Sequence, residues 1–489
     1  MMAKVKWNIV WGVAVIIVFS VLFAIRLGFL APSGPEQPVN EKPVHARPAE
    51  SWMNIYQHNQ KVGVIHRKFH QMERGGYQTD EKITMHINTM GVTQALHVST
   101  VSELKPDMSF SSFSFELNSS LFRFSARGYA GKDKLIVFSG LPHAQTKTVF
   151  PIKDVPHISG NIYEAAFTGG LEKDRSREFS IFDPSTLGMR KIAVTRSADE
   201  VIPVMGKRVL THKFCADFMG AKNCAWLNKE GEILKEAGLL GLSMEKVSRE
   251  KAQEGMPFSS SADFTEIASL PSNRIIDHPP KLKKIEIKIE GLKGNYMIAG
   301  GRQKFQNDIL TVTKELPSLS SETRAMPPAL NLYLKPSALV QSDHPQILAA
   351  VGKMTSPADS PQEKVKKING WVYKNITKKP VLSVPNALEV LENKMGDCNE
   401  HAVLTAALLR AAGIPAQIEA GLVYLNGRFY YHAWNLAYMG EWITLDSVFN
   451  QIPADVTHIR LIRGEGSEQL DLLGTMGKIK LEVLSTSYD

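Results

Sequence analysis

Between Lys82 and Gly140 apolar and polar residues alternate with a period of two. KITMHINTM (82–90), ALHVSTVSEL (95–104), SFSSFSFEL (109–117), LFRFSARGYA (121–130) and KLIVFSG (134–140) each place their large side chains on one face, and glycines and turn residues separate them. This is the signature of an antiparallel sheet with one buried face. KRVLTHKFCADFMGAKNCAWLNKEGEILKEAGLLG (207–241) continues it as further hairpins, with Asn228-Lys229-Glu230-Gly231 as a turn. A β-rich domain is therefore expected over 51–275. Over 276–328 a β segment follows, KKIEIKIEGL (283–292) and DILTVTKEL (308–316), and then a loop rich in Pro and Ser.

From about residue 329 the period changes to that of helices. Ser360, Pro361 and Glu363 supply an N-cap, a proline at the first helical position and a capping-box carboxylate, and Val365, Ile368 and Val372 recur on one face. A second helix is predicted over 386–394. Asp397 and Glu400 form another capping box, which makes Cys398 the first residue of a helix running through Ala411 and ended by Gly413 and Pro415. Asn426-Gly427 then predicts a tight hairpin joining strands 416–425 and 428–437. The fold class expected is α+β, with the C-terminal domain spanning 329–489.

The first residues change the picture of where this fold sits. WNIVWGVAVIIVFSVLFAI (7–25) carries no charge over nineteen residues, long enough for a transmembrane helix. Lys4 and Lys6 precede it and Arg26 follows, so the expected topology is a single-pass anchor (1–30) in the inner membrane with the bulk of the chain periplasmic or extracytoplasmic. Residues 31–50 contain five prolines and almost no large apolar side chains, and read as a solvated linker. Lys and Arg outnumber Asp and Glu by 57 to 49, but the excess is scattered and no nucleic-acid motif accompanies it, so no nucleic-acid partner is expected.

The chain has three cysteines. Cys215 and Cys224 lie nine positions apart in the predicted hairpins and are expected to pair in an oxidising compartment. Cys398 is left alone, at a helix start where exposed N–H groups and the helix dipole favour a thiolate, so its pKa is expected to be lowered. A thiol nucleophile needs a proton carrier and a group to orient it. A three-residue loop at Tyr438-Met439-Gly440 would pair 437 with 441 and set His432 directly opposite Asp446 on one face, with Gly421 across from His432 leaving space for sulfur. Asp455 and His458 are expected in a surface turn and the strand after it. Cys398, His401, His432 and His458 lack metal-ligand spacing, so neither a metal nor a cofactor is expected.

GDC followed by Glu-His, then LLRAAGIPA, YYHAW and W-x-x-LD resembles the transglutaminase-like superfamily. The resemblance implies a papain-type triad: Cys398 as nucleophile, His432 as base and acid, and Asp446 as the orienting carboxylate. It also implies a thiol acyltransferase or amide hydrolase, or cysteine peptidase, acting on protein or peptide substrates through a thioester. The family's usual Asp-Pro-Thr is here Asp446-Ser447-Val448. The β-rich region resembles lipoprotein-carrier folds, a curved sheet around an apolar concavity suited to a lipid or protein ligand. The alternative expectation is a non-catalytic receptor or assembly protein with a binding β domain.

Overall fold

The structure is a computed structural model that describes residues 49–488, except 74, 90, 141–144, 219, 239–240, 256–262, 264, 266–268, 293–295, 317–325, 382, 467–468, 470–471, 473 and 475–477. Alternation dominates it: strand outweighs helix by 50% to 19%. This corrects the expected fold class. No helix among the described residues is long and apolar enough to cross a membrane, and the segment 7–25 lies outside them.

Among the described residues, the N-terminal half is one 16-stranded antiparallel sheet with a single short parallel pairing at one end. Eight strands, from Glu50–Gln57 to Thr146–Pro151, run as a meander in which each pairs with its chain neighbour. The sheet continues from Glu50–Gln57 through Leu242–Val247 and back along the chain to Ser176–Asp183 and His157–Ile158. Its far end meets the middle of the meander, where the Phe110 amide, at the start of the fifth strand, donates to the Pro156 carbonyl. Phe110, Phe113 and Phe182 then meet in one core. Twist accumulated over many strands makes such rolling the expected outcome for a sheet of this size. Cys215 and Cys224 face each other on adjacent strands and are joined by a disulfide.

The C-terminal half buries the second large core between helices and two smaller sheets. Both capping boxes form, at Ser360–Glu363 and at Asp397–Glu400. The first opens the helix Pro361–Asn375, whose Val365, Ile368 and Val372 are fully buried. The second opens Cys398–Ala411, a helix buried along nearly its whole length. It packs on the hairpin Ala416–Leu425/Arg428–Tyr438, which turns at Asn426-Gly427 with positive φ at both positions. Two pairings join segments far apart in the chain: Ile459–Arg463 lies on the outer side of Ala416–Leu425, and Lys480–Tyr488 pairs with Leu282–Glu290.

Candidate active site

Cys398 occupies the first position of its helix, with the Asp397 carboxylate accepting from the Asn399 amide and Glu400 accepting from the Asp397 amide. The helix is tied at three depths, twice to the strand Arg428–Tyr438 and once to the turn after Asp446. Tyr431 Oη donates to Asn399 Oδ1 at 2.9 Å, Asn435 Nδ2 donates to the Ala402 carbonyl at 2.9 Å, and Thr405 Oγ1 donates to Ser447 Oγ at 2.9 Å. The last bond explains what Ser447 does where the family pattern carries proline: its hydroxyl anchors the turn after Asp446 to the cysteine helix.

The outer edge of that strand is covered in two places and open between them. Ser269–Pro271 pairs with residues 428–430, and Trp442–Leu445 pairs with 435–438. In the gap the Ala433 amide reaches the Cys398 sulfur.

His432 is buried and directs Nε2 to Asp446 Oδ2 at 2.7 Å. The register differs from the expected one. The loop is Met439–Gly440–Glu441, closed by a bond from the Met439 amide to the Glu441 carbonyl, so Tyr438 pairs with Trp442. The three-residue loop slides one position along the chain, which moves each cross-strand partner by two, so the parity that keeps His432 and Asp446 on one face survives. Their contact is diagonal, made just beyond the last ladder pair, Asn435 with Leu445. Gly421 does lie opposite His432, but its role is different: an added Cβ would collide with the Ile459 carbonyl. The glycine admits the neighbouring strand, which bulges at Ala420/Gly421, and is not a space for sulfur.

Asp446 is fully buried, and its Oδ1 accepts from the Val448 and Phe449 amides at 2.6 and 3.2 Å. Its Oδ2 also takes a second imidazole, His458 Nε2 at 2.9 Å. His458, expected near a surface turn, has no exposed surface, and its Nδ1 lies 3.3 Å from Asp455 Oδ1. Burial opposes its charge, but Asp455 and Asp446 outweigh burial and push it up to about 9. Burial likewise works against the Asp446 carboxylate, and His432 and His458 together hold it well below the usual carboxylate range. The sequence cue for this residue was the spacing Asp455-Val456-Thr457-His458, an acid and a histidine three apart at the mouth of an apolar strand.

The thiol does not follow the expectation of a lowered pKa. Loss of water around the sulfur pushes it well above its ordinary value, and Asp397 and Glu400 add to that, while the Ala433 amide acts the other way. Burial is the larger cause, and the acids that cap the helix act in the same direction. With Nε2 of His432 directed to Asp446, Nδ1 is the nitrogen on the other side of the ring. His401, one turn along, directs Nδ1 to the Asp397 carbonyl at 2.7 Å and leaves Nε2 buried without a partner. Ligand-type atoms of His432, Asp446 and His458 lie within 4.8 Å of one another, a set that could hold a cation. The two bonds to Asp446 Oδ2 account for their grouping without one.

Fold and site together define a class: a thiol at a helix start, set against an antiparallel sheet that carries an imidazole–carboxylate pair, belongs to a superfamily of cysteine enzymes. Residues 349–447 match the transglutaminase-like superfamily, and this part of the chain is a transglutaminase-like domain. No curated protein matches the chain. Among solved structures, a β-barrel-like protein of a domain of unknown function from Brucella abortus aligns over 42% of this chain and 98% of its own, at 12% identity and a TM-score of 0.34. A candidate cysteine protease from Cytophaga hutchinsonii aligns over 42% of this chain and 88% of its own, at 16% identity and 0.28. A candidate protease from Parabacteroides distasonis aligns over 86% and 69%, at 12% and 0.21.

Proposed function

We propose that the chain is a thiol-dependent acyltransferase or amide hydrolase of protein or peptide amides, working outside the cytoplasm. The observation that carries this reading is the bond from His432 to Asp446 next to the strand edge where Ala433 meets the Cys398 sulfur. His432 Nδ1 takes the thiol proton as sulfur attacks the amide carbonyl. The tetrahedral oxyanion is received at the start of the helix, where the Cys398 amide has no intrahelical partner. The protonated His432, held by Asp446, then gives its proton to the departing amine, leaving a thioester. Water or a second amine attacks that thioester, with His432 again as base. The Cys215–Cys224 disulfide supports an oxidising compartment.

The test is incubation of the purified chain with a glutamine-containing peptide library, with and without a tagged primary amine, followed by mass spectrometry of both peptides and protein. Thioester on Cys398, with new carboxylates or tagged amides, is the expected result. Equal product from Cys398→Ala would sink the reading and favour a binding or assembly role.

A further inference from the structure

Three helices of the C-terminal half, Pro345–Met354, Pro361–Asn375 and Ala387–Asn393, meet around a surface groove of about 1050 Å³ that the thiol chemistry does not use. The first two each turn toward it a stripe of residues three and four apart, next to the stripe that each buries. Its apolar lining is Ala350, Met354, Trp371 and Leu391, each half-buried and packed against the core from behind.

Two features of this groove point to a ligand. The first is charge. Lys353, Lys366, Lys374 and Lys394 line the groove, all exposed, and their ammonium groups pair with no carboxylate among the described residues. A fifth lysine, Lys367, is held by Asp359. Two acids stand against them on the lining, and one of these, Glu363, is engaged in the capping box with Ser360. Like charges gathered around an apolar hollow favour an anionic partner. The second feature is independent of charge. Gly370 sits in the interior of Pro361–Asn375, on the stripe that faces the groove, where glycine is the costliest residue after proline. Nothing in the fold asks for it, because a Cβ built there would meet no atom within 4 Å. A helix that gives up a side chain for which it has room leaves its backbone open to close approach by another molecule.

We propose that this groove binds an acidic peptide segment that carries one large apolar side chain. The apolar side chain lies over Gly370 against Trp371, Met354 and Leu391, and carboxylates on either side meet the four unpaired lysines. A hollow between helices admits a chain with a projecting side chain, whereas the same charges on a flat or convex face would suit a bilayer. Lys394 precedes Cys398 by four residues, so their Cα atoms are at most about 15 Å apart. On the reading of the chain as acting on protein or peptide amides, on which this last step rests, the segment belongs to the substrate and holds it near the thiol.

Fluorescence anisotropy on the whole chain, with a labelled decapeptide of glutamates around one central leucine, tests this without turnover, so its failure leaves the thiol reading standing. Saturable binding of one peptide per chain is expected, at least tenfold weaker when glutamine replaces every glutamate and at least threefold weaker when alanine replaces the leucine. Gly370→Leu should weaken binding at least tenfold without lowering the unfolding temperature. Gly352→Leu, at a position equally free of neighbours but off the groove, should leave binding unchanged. Lys366→Gln combined with Lys374→Gln should weaken binding at least tenfold and decides the matter if Gly370→Leu does not fold. No saturable binding, equal binding of the glutamate and glutamine peptides, a Gly370→Leu variant that folds and binds unchanged, or capture by anionic phospholipid vesicles in place of the peptide would overturn the proposal.

Discussion

Two buried polar networks, one in each half of the chain, are built on opposite plans. Around Asp446 every acceptor position is filled: two backbone amides on Oδ1, and two imidazoles on Oδ2, the second of them held from behind by Asp455. Around Arg67 carboxylates crowd one guanidinium, and Ser102, Asn161 and Asp183 in the same part of the sheet each bury a polar atom that the fold does not match. A saturated network fixes one geometry, which suits the role proposed for His432. An unsaturated one carries polar atoms whose desolvation no bond offsets.

The largest expected effect breaks the saturated network at its working end. Cys398→Ala and His432→Ala should each lower turnover by roughly a thousandfold or more, and the double variant should be hardly worse than either, because nucleophile and base act as a unit. Asp446→Asn should lose less activity, since it keeps the turn. Asp446→Ala should be severe for the fold as well, because it strands two imidazoles and two amides in the interior. A loss of about 3–5 kcal/mol in denaturant unfolding is expected. Activity of Cys398→Ala near that of the parent would dissolve the distinction between the two halves.

The next effect is smaller and depends on pH. His458 titrates near 9 in the fold, above the ordinary 6.5 of histidine. Its ion pairs with Asp446 and Asp455 therefore stabilise fully below about pH 6.5 and lose their contribution as pH rises through 9. His458→Gln should cost on the order of 2–3 kcal/mol at pH 6 and much less at pH 10. Unfolding curves of the two proteins at both pH values give the comparison. A gap that widens with pH would mean that His458 is neutral and that Asp446 is held by His432 alone.

What the sequence disclosed about these networks follows the range of the interactions involved. Caps at Ser360 and Asp397, and the hairpin at Asn426-Gly427, involve residues within four positions, and their side-chain chemistry is written locally. The pairing of Gly421 with His432 follows from that turn by counting. The loop after Tyr438 came one residue later because the Met439–Glu441 bond, not the glycine alone, closes it. Gly421 was misread because the strand that crowds it, Ile459–Arg463, arrives from some forty positions away. His458 was missed for the same reason, since only that pairing brings it to Asp446. The thiol was misjudged in sign: burial of the sulfur opposes a negative charge there, and the capping acids that locate the helix start add to it. In the roll, period-two alternation located strands, but it could not show that the inward row at Arg67, Glu81 and Thr100 is polar inside a core.

The smallest effect sharpens the comparison most directly, because it applies the same change of chemistry to both networks. Thr405 Oγ1 is fully buried and donates to Ser447 Oγ at 2.9 Å. Thr405→Val keeps the shape and leaves the Ser447 hydroxyl short of a partner, so a loss of about 1–2 kcal/mol is expected. Ser102 Oγ is equally buried and bonds to nothing in the fold. Ser102→Ala removes a hydroxyl whose desolvation brought no bond in return, so stability should change by less than about 0.5 kcal/mol, in either direction. Equilibrium urea unfolding of the two variants beside the parent measures the difference. If Ser102→Ala costs as much as Thr405→Val, the Ser102 hydroxyl holds a bond in the folded protein, and the roll is as saturated as the network around Asp446.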